Sequence, residues 1–535
     1  MAIVSFNFFV FCAAVLILYY IFPSKKYQWT VLLAASYAYY IICCNKYTFY
    51  LIATTAMAWV GGLIMDRLTV NCAAAVERNK EQWDKEQRKK YKAKVQSGKR
   101  AVMAAVLVLN FGILAFLKYF DFAARSVHSL LGAVGLDIAM PDFKLVLPLG
   151  ISFYTFQTMG YVIDVYRGKF RAAKNPAKFA LFASFFPQIV QGPIAFYSDL
   201  AYQLYAPHDF NYNRFKSGGI LALWGLFKKL VIADRAVAMV KLVAGNYSDF
   251  KGTYILMAVC MYAIQLYADF SGGIDICRGF AEMLGITMAQ NFRQPYFSRS
   301  LTEYWHRWHI TLGEWLRIYL FYPISISKPF LKMGKQLKKH GLKHLGKVLP
   351  TSIASLITFI VIGVWHGAAW KYVAFGLFNG MAILISSLMQ PWTQKLAKAL
   401  RIRHENFFCR LFEIGRTMLL VLAGYYFDIA PGFKAAMKMM LRSVTDIHLS
   451  DLGDFACLAP SKLDRLDYLV IIFGSLVMLI VSIVREHTGK EVRQQLMRKP
   501  TIVQWPIYIA LIMLIAVLGV YGPGCNPADF VYMQF

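Results

Sequence analysis

The sequence predicts an all-α, polytopic transmembrane helical bundle, and three observations carry that prediction. Apolar residues make up 58% of the 535 residues and charged residues only 16%, against roughly 45–50% and about 25% in soluble domains. The apolar residues fall in long, nearly uncharged runs, at 5–22, 29–44, 49–65 and 101–117 in the first quarter alone; a helix needs roughly 17–25 such residues to cross the hydrocarbon layer. The basic residues collect between these runs. A soluble enzyme and a nucleic-acid-binding domain are thereby excluded.

The net charge is +29, from 58 Lys and Arg against 29 Asp and Glu. No basic stripe interleaved with aromatic residues stands out, so nucleic acid is not an expected partner. Positive-inside bias and attraction to anionic lipid account for the excess.

Residues 67–100 carry eleven Lys and Arg against four acids and are rich in helix formers. They read as a cytoplasmic, basic, helical loop lying at the membrane surface. Counting spans outward from it places the amino terminus outside and Lys25 and Lys26 inside. The run 328–347, with seven Lys and no acid, reads as a second cytoplasmic basic loop. The segment 445–467, with five Asp, and the tail 522–535, without Lys or Arg, suit the outer face. An extracytoplasmic loop is expected over 432–466, within one integral-membrane domain spanning 1–535. Both termini are expected outside a cell membrane.

The middle is less regular. The apolar segments 147–165 and 179–194 are broken by Pro148, Gly150, Gly160, Pro187, Gly192 and Pro193. Irregular backbone at membrane depth is tolerated only when buried in protein or lining a wet cavity. Re-entrant elements are therefore included in an expected total of about 11 to 14 membrane segments.

Ionisable residues within such segments are expensive and point to function. Three places qualify: 265–275, with Asp269 and Asp275; 304–309, with His306, Arg307 and His309; and His366, which follows an apolar run. On residue type alone, His366 is either a buried ring satisfied by a backbone carbonyl or a group that exchanges a proton near physiological pH. Gly363 and Gly367 flank it, and small residues four apart admit a close neighbour, a helix or a substrate chain. His309 precedes Lys328 by 19 residues and His366 follows Lys347 by 19. Two helices crossing from that basic loop would bring the imidazoles to similar depth.

The nine cysteines have no Cys/His ligand spacing, so no metal is expected. Cys12, Cys43, Cys44 and Cys260 read as small buried hydrophobes. Cys457 and Cys525 both fall on the expected outer face, where a disulfide can form. The start, MAIVSFNFF, lacks a positive n-region and reads as a retained first helix. Phosphate loops, nucleophile elbows and zinc-protease motifs are missing from the sequence.

Several stretches resemble membrane-bound O-acyltransferases. They are Asn291-Phe-Arg-Gln-Pro-Tyr-Phe-Ser-Arg-Ser300, Trp305-His-Arg-Trp-His-Ile-Thr-Leu312 and Gly363-Val-Trp-His-Gly367. The chain is most similar to the alginate O-acetyltransferase membrane-subunit branch, through 147–157, 161–168, 185–194, 269–272 and the ending 530–535. It departs from the family's common pattern at His306, Ile318 and Ala369.

The resemblance implies a helical bundle around a central tunnel, with His366 as the catalytic histidine and His309 as the second. It places Arg307, Trp308, Trp305 and Asn291 beside the acyl donor. The implied reaction moves an acyl group, most simply acetyl, from a cytoplasmic thioester such as acetyl-CoA, used as substrate with no permanently bound cofactor. An esterase-like transferase outside and a polysaccharide acceptor are the implied partners. D-alanyl transfer from a carrier protein to teichoic acid is the rival within the family. A lipid or glycan transporter and a scaffold are the rivals outside it. In the implied mechanism His366 is a general base on an acceptor hydroxyl, a role worth about 10²–10⁴-fold, while His309 orients the donor or stabilises the oxyanion.

Overall fold

The structure is a computed structural model that describes residues 3–136, 145–402, 404–453 and 456–521. It is helical throughout, with no strand among the described residues. The chain divides into two compact units, one of residues 1–218 and 280–289, the other of 219–279 and 290–535.

The first unit opens with α1 (Phe6–Ile21), whose cap Ser5 accepts the Phe8 amide. Then come α2 (Gln28–Cys44), α3 (Thr48–Arg78) and α4 (Lys85–Ala133). Asp84 and Gln87 form a reciprocal capping box that fixes the start of α4, satisfying two amides that a helix start leaves open. With 31 and 49 residues, α3 and α4 run about 46 Å and about 74 Å, well beyond the hydrocarbon thickness. The basic residues of 67–100 therefore do not form a separate surface helix. They extend these two helices, which the uninterrupted helix formers allow to continue to the turn at 79–84.

The broken segments 147–165 and 179–194 fold into short buried helices: α5 (Ile151–Arg167), α6 (Pro176–Ser184) and α7 (Phe186–Gln191), followed by α8 (Tyr197–Tyr205). Gly150 sets up α5 at φ 67°, and a Cβ there would come within 2.7 Å of the Ile189 carbonyl oxygen. Around this turn Tyr40, Cys44, Leu51, Leu114, Leu117 and Tyr154 form an apolar core. The Tyr40 hydroxyl donates to the Leu149 carbonyl at 2.9 Å, and Gln157 Nε2 donates to the Phe182 carbonyl at 2.7 Å.

The chain enters the second unit within α9 (Tyr212–Leu226), which continues as a wider π-helical stretch, Phe227–Ala233, into α10 (Asp234–Gly245). This stretch carries Lys228 and Lys229 inward. Lys229 is 0% exposed and bonds Asp269 at 2.6 Å and Asp234 at 2.8 Å. Asp269 lies in α11 (Gly252–Met283), which explains the acidic residues in that apolar run: they are ion-paired inside the protein, as buried charges must be.

The rest of the unit is α12 (Leu301–Arg307), α13 (Ile310–Leu316), α14 (Tyr322–Ser325), α15 (Lys328–Lys339), α16 (Lys343–His366), α17 (Trp370–Ala399), α18 (Phe407–Ile429), α19 (Phe433–Thr445), α20 (Arg465–Thr488), α21 (Val492–Leu496) and α22 (Thr501–Leu518). The basic run 328–347 forms α15 and the first turn of α16. The segment 432–466 contains α19 and two short 3₁₀ turns.

The α16–α17 hairpin is the tightest packing near the site. A Cβ on Gly363 would fall 2.2 Å from the Tyr372 carbonyl oxygen, and one on Gly376 would fall 2.3 Å from that of Phe359. The small residue before His366 therefore admits the neighbouring helix.

Seven helical stretches among the described residues are long and apolar enough to cross a membrane: 25–78, 85–133, 252–283, 343–366, 370–399, 465–488 and 501–518, with Phe6–Ile21 a shorter apolar helix. The 11 to 14 membrane segments expected from the sequence exceed these seven stretches. Cys12 and Cys44 are buried and Cys43 is half-buried, but Cys260 is exposed on α11, as an apolar face of a membrane helix permits. The Cys457–Cys525 pairing and the carboxyl-terminal tail lie outside the described residues.

Candidate active site

His309 stands at the junction of α12 and α13 with φ 46°, a conformation costing roughly 1–3 kcal/mol for a side chain that is not glycine. Two backbone bonds hold the junction against the preceding segment: Ile310 N to Asn291 O at 3.0 Å and Arg293 N to Arg307 O at 3.0 Å. They aim the imidazole inward, where it is 3% exposed.

Asn291 fixes its protonation pattern. The atom Oδ1 accepts the Thr311 amide at 3.0 Å and the Thr311 hydroxyl at 3.0 Å. An atom that accepts a backbone N–H is the carbonyl oxygen of the amide, not its nitrogen. His309 Nδ1, 3.2 Å from the same oxygen, must then donate. The neutral ring carries its lone pair on Nε2.

His366 ends α16 and is 7% exposed. Trp365 is a ring neighbour of both histidines, 5.9 Å from His309 and 5.2 Å from His366. Phe270 meets His309 edge-on at 4.9 Å and Phe375 meets His366 edge-on at 5.3 Å.

Both histidines line one cavity of about 450 Å³, within the range of small-molecule sites. Part of its polar wall comes from Ser352, Ser355 and Thr358, spaced along one face of α16 below His366, and part from His306, Glu314, Arg317 and Ser387. A second space, about 20 Å³, is lined by His366, Asn379, Tyr304, Tyr425 and Asp428 and has room for about one water. Trp305, Trp308 and His366 line both spaces and form the wall between them. Trp305 is held by a bond from Nε1 to Asn379 Oδ1 at 3.2 Å. Trp308 is stacked on Tyr304 at 5.7 Å. Asp428 Oδ1 is buried with no hydrogen-bond partner among the described residues.

The structure brings His309, His366, Trp305 and Trp308 together around the cavity. Asn291 stands behind His309. Arg307 is placed elsewhere: it bonds Glu303 at 2.6 Å and Glu486 at 2.8 Å and does not line the cavity. Sequence reasoning missed Asn379, Tyr425 and Asp428. It also missed the Ser352, Ser355, Thr358 stripe, whose three-residue spacing along the helix ending at His366 was a readable signal.

A multi-pass helical membrane protein with two buried histidines on a shared internal cavity has the makings of a membrane-embedded group-transfer enzyme. The sequence model of the membrane-bound O-acyltransferase (MBOAT) family matches residues 172–426. A probable alginate O-acetylase, AlgI, of Pseudomonas syringae pv. tomato is 30% identical over 448 residues, covering 83% of this chain and 76% of that protein. A peptidoglycan O-acetyltransferase of Helicobacter pylori is 29% identical, covering 56% and 57%. A teichoic acid D-alanyltransferase of Streptococcus thermophilus is 28% identical, covering 46% and 58%. The chain belongs to the membrane-bound O-acyltransferase family and is an O-acyltransferase.

Proposed function

We propose that the protein moves an acetyl group from a cytoplasmic thioester, acetyl-CoA, to an acceptor hydroxyl reached from the outer side, for O-acetylation of an extracellular polysaccharide of the alginate type. The observation that carries this reading is the position of His366 on both sides of the wall between the two spaces. A donor in the larger space and a hydroxyl arriving from the smaller one would meet at that ring. His366 takes the hydroxyl proton as the oxygen attacks the thioester carbonyl. The carbon–sulfur bond breaks, and the imidazolium returns the proton to the departing thiolate. His309, neutral and with its lone pair on Nε2, accepts an amide N–H of the donor arm and so orients it. It stabilises an oxyanion only when protonated. Trp305 and Trp308 flank the donor, and Arg307 braces the α12 junction through its two glutamates. The alginate O-acetylase relatives cover more of the chain than the D-alanyltransferase does, which favours acetyl over D-alanyl. An esterase-like transferase outside would relay the group to the polymer, and both termini would face that side.

The test is a reconstituted assay with radiolabelled acetyl-CoA, and separately a D-alanyl-charged carrier protein, against wild type and His366→Ala. Acetyl transfer by the wild type and its loss in a folded His366→Ala protein is the expected result. Transfer surviving in that variant, or use of the charged carrier alone, would overturn the reading.

A further inference from the structure

Three arginines converge on one carboxylate beyond the end of α20. Glu491 lies 2.6 Å from Arg493, 3.5 Å from Arg485 and 3.8 Å from Arg278. Arg278 also reaches Asp275 at 3.2 Å, and Lys228 takes the other oxygen of Asp275 at 2.7 Å and the Ser271 hydroxyl at 2.8 Å. Four cations thus share two carboxylates. Burial works against the charge on Glu491, yet Arg493 and Arg278 hold its carboxyl below the usual range, and the basic groups outnumber the carboxylates they face. Arg278 Nε is buried with no hydrogen-bond partner among the described residues. A guanidinium in such a place wants an acceptor, and its planar fork suits a phosphate.

The cluster closes one end of a cavity of about 310 Å³. The remaining wall is apolar, from Leu221 on α9, Val477 and Val481 on α20, and Ala510, Leu511 and Leu514 on α22. Both α20 and α22 are among the helices long and apolar enough to span a membrane. Arg485 lies in the last turn of α20. The apolar end of the cavity is therefore at the level of acyl chains and the cationic end at the level of headgroups. A soluble anion would leave the apolar wall uncovered, and a zwitterionic lipid would bring its ammonium against the three arginines that line the cavity. An acidic head on an apolar tail satisfies both ends.

We propose that this cavity binds one anionic phospholipid, its phosphate held by Arg278 and Arg485 and part of an acyl chain lying between α9, α20 and α22. The proposal is independent of the acyl-transfer reading, because none of these groups lines the cavity of His309 and His366.

The experiment uses the full chain purified in a mild non-ionic detergent, with retained phospholipid quantified by extraction and mass spectrometry. Thermal unfolding is then followed in nanodiscs of phosphatidylcholine alone and with phosphatidylglycerol. Arg278→Gln/Arg485→Gln removes the head contacts. Ala510→Trp, at an exposed position on α22, fills the apolar end with the charges intact and keeps the test decisive where the double variant fails to fold. Wild type is expected to retain phosphatidylglycerol and to be stabilised by it, and each variant to retain about fivefold less. The proposal is overturned by equal retention in Ala510→Trp, or by inorganic phosphate stabilising the protein as well as phosphatidylglycerol does. It is equally overturned by arginine variants that raise the KM for acetyl-CoA while lipid retention is unchanged, which would make the cluster a donor-phosphate site.

Discussion

The carboxamide oxygen of Asn291 lies 3.2 Å from Nδ1 of His309 and also accepts the Thr311 amide. One side chain thus chooses the tautomer of a ring at the cavity wall. Asn291→Ala releases that choice and leaves the buried Thr311 amide without its acceptor, at about 1–3 kcal/mol. The expected outcome is a fall in kcat of roughly tenfold or more with a smaller change in KM for the acyl donor, measured in reconstituted vesicles. An unchanged kcat would show that the tautomer of His309 is irrelevant.

Trp305 tests the wall between the two spaces. Trp305→Ala joins them and lets water reach the donor. The ratio of thioester hydrolysis to acyl transfer is expected to rise, by about tenfold for each 1.4 kcal/mol of barrier lost to water. Thiol release and labelled product, assayed together, give that ratio.

The α16–α17 hairpin depends on closeness at Gly363. Gly363→Val places a branched side chain against the Tyr372 carbonyl. Overpacking of this kind costs typically about 1–3 kcal/mol. A lower melting temperature in detergent, with transfer activity falling alongside it, is expected.

Lys229 tests the buried ion pairs. Lys229→Met leaves Asp234 and Asp269 facing each other without their shared cation, which costs about 3–5 kcal/mol. The single variant should be recovered in poor yield by size-exclusion chromatography. Lys229→Met/Asp234→Asn/Asp269→Asn, which removes the charges together, should recover most of it.

Glu491 carries a pH signature. Its folded-state carboxyl titrates below the ordinary glutamate range, burial being outweighed by Arg493 and Arg278. Its ion pairs therefore stabilise the protein above that ordinary range, and the contribution is lost as pH falls through the lowered value. Glu491→Gln is expected to melt below wild type at pH 7, with the gap closing as the pH is taken through the acid range. A pH-independent gap would contradict this.

Much of the site was legible because membrane depth makes certain residues conspicuous. His309 and His366 stood out as polar rings in apolar surroundings, and the structure puts both on one cavity. The acidic residues of 265–275 stood out for the same reason, but not their partners. Lys228 and Lys229 are adjacent in sequence, and only the π-helical winding of 227–233 turns both inward, which no 3.6-residue periodicity announces. Arg307 was misleading in the opposite way: its neighbours in sequence line the cavity, while its partners Glu303 and Glu486 come from one turn earlier and from α20. Gly363 was recognised as an invitation to close approach, but its visitor, the backbone of α17, depends on a hairpin geometry that residue type does not specify.

The narrowing at Trp305, Trp308 and His366 to a space of about 20 Å³ also bears on bioenergetics. A bilayer that stores an electrochemical gradient tolerates no wide aqueous bore through its proteins. On the reading proposed above, a constriction the size of a single solvent molecule, walled by two indoles and one imidazole, would let an acyl group change hands while hydrated sodium and potassium stay where they are. Acyl transfer and electrical insulation would then rest on the same three side chains.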